Sequence, residues 1–199
     1  MKTDILIVGS GCAGLYCALH LPKDKKVTII TKSAVEESDS YLAQGGMCML
    51  KEDSDYEAFF EDTLKAGHYE NDRTSVEIMI RSSQDVMKDL LLYGADFQKD
   101  ETGKLLFTKE GAHSAKRIVY HEDETGKEIT STLLRTVKKQ KNIKILEYTT
   151  MIDLIVKDDR CYGAVIQKEN GKIETIRATA TVVATGGIGG IYEHSTNYA

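Results

Sequence analysis

Short apolar runs that alternate with amphipathic stretches predict an α/β fold. Residues 5–8 form an apolar run that predicts a buried strand, residues 15–21 predict a helix, and residues 27–31 predict a second strand. Pro22, the only proline, marks the end of this helix. A strand, a helix and a second strand of these lengths are typical of a βαβ unit, so the chain is predicted to begin with a parallel sheet.

The same pattern predicts three further helices. Residues 55–66 and 73–93 carry apolar side chains at helical spacing, and Gly94 is placed to end the second of these stretches. We expect both helices to cover a face or an edge of a sheet and to contribute packing rather than chemistry. Residues 125–141 predict another amphipathic helix.

Four β runs in the last third of the chain predict an antiparallel meander. Asn170-Gly171 lies between the last two runs and is a strong hairpin signal. A buried strand, residues 180–184, then ends in Thr185-Gly186-Gly187. Ligands lie at the carboxyl ends of strands in open α/β sheets, so this strand and the first one are predicted to meet in one sheet. The four runs are residues 143–149, 152–156, 161–168 and 172–178.

The turn after the first strand carries a glycine motif. Gly9, Gly11 and Gly14 fit G-x-G-x-x-G between a predicted strand and a predicted helix. Gly9 permits a tight turn, Gly11 lets a pyrophosphate approach the backbone, and Gly14 lets the helix pack closely on the strand. The helix N-terminus offers N–H groups and a positive dipole end to phosphates. The motif predicts a dinucleotide cradle; the alternative is a glycine-rich turn without a ligand.

The end of the second predicted strand departs from the usual nicotinamide pattern. An Asp or Glu normally reads the ribose hydroxyls there, but this chain has Lys32, and the nearest acids are Glu36 and Glu37. A lysine suits a phosphate or a ring edge better than ribose hydroxyls. The irregular stretch that follows ends in Gly45-Gly46, which indicates backbone close to something flat or bulky; a plain surface loop is the alternative.

Residues 97–121 show no clear periodicity. They contain Glu110, His113, Lys116 and Arg117. A long polar loop of this kind inside a domain is often functional. Residue types alone favour neither this interpretation nor that of a solvated loop with ordinary charges.

Composition narrows the class of protein. The chain has 41% hydrophobic and 29% charged residues, no apolar stretch long enough for a membrane span, and a net charge of -5 without a basic run. It therefore predicts a cytoplasmic globular protein without a secretory leader and without a nucleic-acid or membrane partner. The four cysteines lack C-x-x-C or zinc-like spacing and predict small buried thiols, with no metal site.

These motifs resemble the succinate dehydrogenase and fumarate reductase flavoprotein family, which includes the L-aspartate oxidases. The resemblance implies an α/β fold: a Rossmann-like FAD-binding domain with a parallel central sheet and an antiparallel β-meander, covering residues 1–199. It rests on residues 9–14, 43–46 and 184–187, and within the family residues 62–67, 108–114, 117–118 and 125–126 are most similar to the L-aspartate oxidase branch.

The resemblance implies a set of site residues. Backbone N–H groups of residues 10–13 would contact the FAD phosphates, Lys32 the adenosine half, and residues 39–46 the flavin and pyrophosphate. Glu110 would read the amino group of the substrate, and His113 lies in the same loop with an open role. The implied cofactor contacts are Gly9, Ser10, Gly11, Cys12, Ala13, Gly14, Lys32, Asp39, Ser40, Tyr41, Leu42, Ala43, Gln44, Gly45, Gly46, Thr150, Met151, Ala184, Thr185, Gly186 and Gly187.

Two departures from the family matter. Succinate dehydrogenase-type subunits attach the flavin through a histidine just before the Ala-Gln-Gly-Gly phrase, whereas this chain has Ser38-Asp39-Ser40. The FAD is therefore predicted to be non-covalent. Family members are also much longer, so we expect the capping domain and the C-terminal helical domain to be absent from this chain and the chain alone to lack turnover.

The implied reaction is the oxidation of L-aspartate to iminoaspartate, a step of NAD biosynthesis. A hydride leaves Cα for the flavin, dioxygen or fumarate reoxidises the flavin, and the product could pass to quinolinate synthase. The alternatives are a soluble fumarate reductase or succinate dehydrogenase-type flavoprotein, and a non-catalytic FAD-binding or partner-binding module.

Overall fold

The computed structural model describes residues 1–198, which form two compact units. Met1–Leu42 together with the residues from Ile129 onwards form one unit, here called the sheet unit. Ala43–Glu128 form the other, here called the helical unit. In chain order the elements are β1 (Ile5–Val8), α1 (Cys12–His20), β2 (Val27–Ile30), α2 (Asp39–Leu42), β3 (Met47–Cys48), α3 (Tyr56–Ala66), α4 (Arg73–Tyr93), β4 (Ile118–Val119), α5 (Thr125–Lys138), β5 (Ile143–Leu146), β6 (Thr149–Lys157), β7 (Arg160–Lys168), β8 (Ile173–Arg177) and β9 (Ala180–Val183).

A four-stranded parallel sheet in the order β5-β2-β1-β9 forms the centre of the sheet unit. Leu6, Ile7, Ile29 and Ile30 are fully buried in its two middle strands. Continuous apolar runs of this kind are expected where both faces of a parallel strand are covered. The structure confirms that the first and last strands of the chain are neighbours, as their glycine-bearing ends predicted.

An antiparallel meander, β6-β7-β8, packs on this sheet through Ala164, Ile166 and Ile176. The Asn170-Gly171 turn between β7 and β8 is confirmed, with Gly171 at φ +79°. The prediction was wrong for the first run, because Ile143–Leu146 pairs in parallel with β2 and not with the meander. The helix α5 precedes this strand, and a helical crossover returns the chain parallel to its sheet.

Helices α3 and α4 pack around Leu50, Phe59, Leu64 and Ile80 in the helical unit. Helix α4 has the predicted bounds, and it ends at Gly94 in the left-handed conformation. The short antiparallel pair β3-β4 was not predicted, because two residues are too few to show a period. None of the helices within residues 1–198 combines the length and the apolar character that crossing a membrane requires.

Four local predictions need correction. Residues 39–42 form a short helix where an irregular loop was expected. Helix α1 begins at Cys12, three residues early, and α5 ends at Lys138, before the predicted residue 141. The four cysteines are free thiols that are half-buried, where small buried thiols were predicted.

Candidate functional site

Two glycines of the first turn are required by backbone contacts inside the sheet unit. Gly9 has φ +114°, and a Cβ placed there would overlap the carbonyl oxygen of Ala184 at the end of β9. A Cβ at Gly14 would overlap the carbonyl oxygen of Gly9 and would approach Ile7 Cγ2 to 3.3 Å. The turn is therefore tight at Gly9, and α1 packs closely on β1 at Gly14, as the motif predicted.

The N-terminus of α1 lies beside α2. Gly11 is its extended N-cap residue, and the Cys12 N–H donates to Ser40 Oγ at 3.1 Å. Ser40 Oγ also lies 3.1 Å from the position that a Cβ would take at Gly11. The first N–H groups of a helix have no partners within the helix and carry its positive dipole end, so this turn can hold a phosphate. Ser10 is buried in the turn, whereas Ala13 is exposed.

The glycines that follow β9 lie next to the start of α2. Gly186 has φ +73°, and a Cβ there would lie 3.9 Å from Asp39 Oδ2. The other Asp39 oxygen accepts the Tyr198 N–H at 2.9 Å. The sheet unit thus brings together three predicted segments: the turn of residues 9–14, the start of α2 and residues 184–186. Three further predicted contacts, Leu42, Thr185 and Gly187, are exposed, and Tyr41 is half-buried.

Lys32 and Thr150 line a separate cavity of about 270 Å³. Its wall also includes Tyr148 and Lys168, and Lys168 Nζ donates to the Thr149 hydroxyl at 3.2 Å. The side chain of Met151 packs against the sheet core instead. The structure therefore places Lys32, which is predicted for the adenosine half of the cofactor, in one polar pocket with Thr150, another predicted cofactor contact.

Ala43–Gly46 belong to the helical unit, where Gly46 is held against β4. A Cβ at Gly46 would overlap the Val119 carbonyl oxygen and Ile118 Cγ2. A Cβ at Gly45 would lie only 3.5 Å from the Glu110 carboxylate, so this carboxylate and the Gly-Gly pair are neighbours. Gln44 and Glu110 are both exposed. The close backbone approach predicted at Gly45-Gly46 is thus partly an approach to the protein's own strand.

Arg117 lies at the centre of a cluster of charges in the helical unit. Its side chain is fully buried, and it binds Asp55 through Nε at 2.8 Å and through Nη2 at 2.7 Å. Its Nη1 donates to Asp62 Oδ2 at 2.6 Å. The guanidinium carbon lies 4.9 Å from the centre of the Phe59 ring. A buried arginine needs such partners, because an unpaired charge is strongly disfavoured inside a protein.

Asp62 is a carboxyl of this cluster whose pKa lies below its ordinary value. Burial by itself raises its pKa, but the Ser114 N–H and hydroxyl, each at 2.7 Å, and the Arg117 guanidinium stabilise the carboxylate. The balance lowers the pKa of Asp62 from 3.8 to about 2. Asp62 therefore ties residues 114 and 117 of the long loop to helix α3.

His113 connects this cluster to a cavity. Its Nδ1 lies 3.1 Å from Arg117 Nη1, and its Nε2 lies 3.0 Å from Cys48 Sγ. Its ring meets the Phe59 ring edge-on, with 5.7 Å between the centres. His113 and Cys48 line a cavity of about 550 Å³ whose other walls are mainly apolar, with Phe59, Met79 and Val86 among them.

Burial raises the pKa of the Cys48 thiol, an effect that the charge of Arg117 opposes. Reactive cysteines normally have a lowered pKa. Cys48 therefore lacks the character of a nucleophile. Within residues 1–198, no group of three or more His, Cys, Asp or Glu side chains is arranged to hold a metal ion.

Sequence reasoning missed the grouping of Asp55, Asp62 and Cys48 around the loop residues His113 and Arg117. One signal was present: Asp55 and Asp62 are seven residues apart at the start of a predicted helix, which puts them on one face. The prediction that this helix carries packing alone was incomplete, because α3 supplies Phe59 to the core and Asp62 to Arg117.

A comparison of the sequence with known protein families agrees with the cofactor that the glycine turn, the parallel sheet and the meander indicate. Residues 4–199 match the family described as FAD binding domain. The chain belongs to this family. FAD is therefore the cofactor of this domain, and the predicted fold of a Rossmann-like FAD-binding domain is confirmed.

The most similar curated relatives include several L-aspartate oxidases. The L-aspartate oxidase of Clostridium perfringens is 48% identical over 98% of this chain and 44% of its own length. The L-aspartate oxidase of Clostridium acetobutylicum is 47% identical over 99% of this chain and 45% of its own length. The predicted resemblance to the aspartate oxidases is confirmed, and the FAD-binding domain described here spans less than half the length of these relatives.

A solved structure supports the fold independently. A chain of the E. coli quinol fumarate reductase superposes with a TM-score of 0.92 and 28% identity, covering 98% of this chain and 34% of that chain. The domain therefore shares its fold with the fumarate reductase branch of the predicted family.

Proposed function

We propose that this FAD-binding domain belongs to an enzyme that oxidises L-aspartate to iminoaspartate. The observation that carries the proposal is the position of Glu110, an exposed carboxylate beside the Gly45-Gly46 pair. The similarity to two L-aspartate oxidases over nearly the whole chain supports the same reaction.

The residues of the sheet unit fit the phosphate half of FAD. The tight turn at Gly9 leaves no room for a side chain, and the first amides of α1 suit a pyrophosphate. We assign Lys32 and Thr150 to the adenosine half, because they share a polar pocket. When bound, FAD supplies the acceptor for the hydride that leaves the substrate Cα.

We further propose that the FAD is bound without a covalent link. The stretch just before the Ala43-Gln44 phrase offers Ser38, Asp39 and Ser40, and it has no imidazole. Acid precipitation of the purified, FAD-loaded protein tests this point. All of the yellow colour is expected in the supernatant, and colour that stays with the pellet would contradict the proposal.

Glu110 would bind the ammonium group of aspartate and so distinguish it from a plain dicarboxylate. A hydrogen bond to a charged group contributes about 1.5–3 kcal/mol, which corresponds to roughly ten- to hundred-fold discrimination. Nothing in the loop has to move a proton for this role, since the carboxylate acts by charge and by accepting hydrogen bonds.

The intact enzyme would contain further domains besides these residues. We expect the 199 residues to be the N-terminal portion of an FAD-binding domain that works with a capping domain and a C-terminal helical domain. For that reason we expect no turnover by these residues alone. Dioxygen or fumarate would reoxidise the flavin, quinolinate synthase would receive the product, and the enzyme would be cytoplasmic.

The decisive experiment compares two reactions in the full-length protein. Glu110→Gln should lower kcat/KM for aspartate oxidation by roughly ten- to hundred-fold and should leave fumarate reduction nearly unchanged. Glu101→Gln, at another exposed acid of the same loop region, is the matched control and should change neither reaction. Equal losses in both reactions for Glu110→Gln would refute the assigned role.

A second candidate is a soluble fumarate reductase, which the structural similarity to a quinol fumarate reductase favours. The wild-type full-length protein separates the two candidates. Aspartate-dependent reduction of the bound flavin supports the oxidase. Fumarate reduction without any aspartate-dependent reduction of the flavin would favour the reductase.

A further inference from the structure

The hydrogens of Arg117 determine which nitrogen of His113 carries a proton. Arginine has only donors and keeps its charge at any ordinary pH. Its Nε and Nη2 are directed to Asp55, and one Nη1 hydrogen is directed to Asp62. His113 Nδ1 lies 3.1 Å from the same Nη1. A donor faces His113 Nδ1, so this nitrogen must present its lone pair.

The other ring nitrogen then carries the proton. With Nδ1 as an acceptor, the neutral imidazole has its hydrogen on Nε2, which donates to Cys48 Sγ at 3.0 Å. The opposite arrangement, with the Cys48 thiol donating to a bare Nε2, would put a hydrogen on Nδ1 against an Arg117 N–H. The geometry therefore excludes the imidazolium form as well as the other tautomer.

The surroundings of His113 favour the same neutral state. Burial is the main cause that lowers its pKa, and the positive charge of Arg117 lowers it further. Asp62, Asp55 and Glu110 act in the opposite direction without outweighing these two effects. On its remaining side the ring packs against Phe59, which carries no charge.

We propose that Arg117 is a positioning residue that holds His113 as a hydrogen-bond donor, with its Nε2–H at the wall of the 550 Å³ cavity. Cys48 is the resting acceptor. A thiol sulfur is a weak acceptor, so a carboxylate or carbonyl oxygen of a ligand would replace it. His113 consequently has no lone pair at the cavity and does not act there as a general base.

The tautomer of His113 does not depend on the proposed function. Only the identity of the ligand, a dicarboxylate whose oxygen would accept from Nε2–H, rests on the proposed function. The first test is nuclear magnetic resonance of the chain labelled with 15N-histidine, above the pH at which histidines ionise. For His113 we expect a protonated Nε2 and an unprotonated Nδ1. His20 is an internal reference of the opposite kind, because its Nδ1 lies 2.9 Å from the Tyr16 carbonyl oxygen, which only accepts. His113→Gln and His20→Gln assign the signals.

A pair of variants identifies the residue that sets the tautomer. In Cys48→Ala, His113 should keep its proton on Nε2, because Arg117 is unchanged. In Arg117→Met, which removes both the N–H donor and the positive charge, the tautomer preference should weaken and the pKa of His113 should rise, while the exposed Arg81→Met should alter neither. If Arg117→Met does not fold, Cys48→Ala alone decides. A protonated Nδ1 in the wild type, or a reversed tautomer in Cys48→Ala, would overturn the proposal.

The full-length enzyme tests the donor role by kinetics. His113→Gln retains N–H donors and should raise KM for the substrate less than His113→Leu, with a similar kcat in both. A general base would instead lose kcat equally in both variants, and that outcome would overturn the donor role. Absence of aspartate oxidation in the wild type would refute the proposed function and leave the tautomer result intact.

Discussion

The candidate sites in the two units of this domain are built from different parts of the chain: one from backbone atoms, the other from side chains. In the sheet unit, the turn of residues 9–14 works through backbone geometry: Gly9 and Gly14 are needed because carbonyl oxygens occupy the space of their side chains. In the helical unit, Arg117 and His113 work through side chains whose partners, Asp55, Asp62 and Cys48, come from elsewhere in the chain. One site is a contiguous motif, and the other is assembled by packing.

This difference teaches which changes each site tolerates. A backbone site accepts many side chains around it but not one extra carbon at a critical glycine. A buried charge cluster accepts small changes of shape but not the loss of one partner, because the other charges then stay buried and unpaired.

Gly9→Ala should have the largest effect. The new Cβ meets the Ala184 carbonyl oxygen, and φ +114° is strained for any residue with a side chain. We expect a loss of more than about 4 kcal/mol in the free energy of unfolding, measured by denaturant titration. Gly187→Ala is the control, since apart from the adjoining residues no atom lies within 4 Å of its Cβ position. Equal stability of the two variants would contradict the claim that the backbone at position 9 requires glycine.

Arg117→Met should come second. It leaves Asp55 and Asp62 without their cation, and breaking a buried pair costs about 3–5 kcal/mol. The matched control is Arg81→Met, which also loses a carboxylate partner, Glu77, and an aromatic ring but lies on the surface. The loss of stability in Arg81→Met should be much smaller, because exposed ion pairs contribute little. Similar losses for both arginines would show that burial does not distinguish them.

Asp62→Asn should change the pH dependence of stability. The pKa of Asp62 is about 2 in the folded protein and 3.8 ordinarily, so the unfolded chain binds more protons between these values. The stabilisation is present above pH 4 and is lost as the pH falls towards 2. The free energy of unfolding of the wild type should therefore exceed that of Asp62→Asn by about 1–2 kcal/mol at neutral pH. This difference should vanish in acid.

Urea titrations at several pH values measure this difference. Asp85→Asn is the control, because Asp85 pairs with Lys88 on the exposed face of α4. It should leave the acid limb of the stability curve unchanged. An Asp62→Asn curve parallel to that of the wild type would contradict the assigned pKa.

Ser40→Ala should have the smallest effect. Without cofactor, the variant loses the bond from the Cys12 N–H, at a cost of about 1 kcal/mol. We expect added FAD to reduce this difference, because a phosphate oxygen would accept the same N–H. Thermal melting with and without FAD measures it, with the helix-surface variant Ser82→Ala as control. A difference that FAD leaves unchanged would argue against a phosphate at Cys12.

Local patterns predicted much of the fold. Helix α4 was predicted from Arg73 to Tyr93 because its apolar side chains repeat at helical spacing and Gly94 ends it. The partner of Ile143–Leu146 was not predictable, because an apolar run does not encode whether its neighbour is β2 or the meander. The short helix at Asp39–Leu42 and the pair β3-β4 are too brief to show a period.

The sequence by itself determined the βαβ start, the glycine turn and the FAD-binding family, because tight turns and close helix packing require particular residues at adjacent positions. Only the tertiary structure decided that Arg117 binds the distant carboxylates of Asp55 and Asp62 and that it faces His113 Nδ1. The physical reason is that hydrogen bonds of buried charges are satisfied in space, and the separation of their partners along the chain leaves no periodic signal.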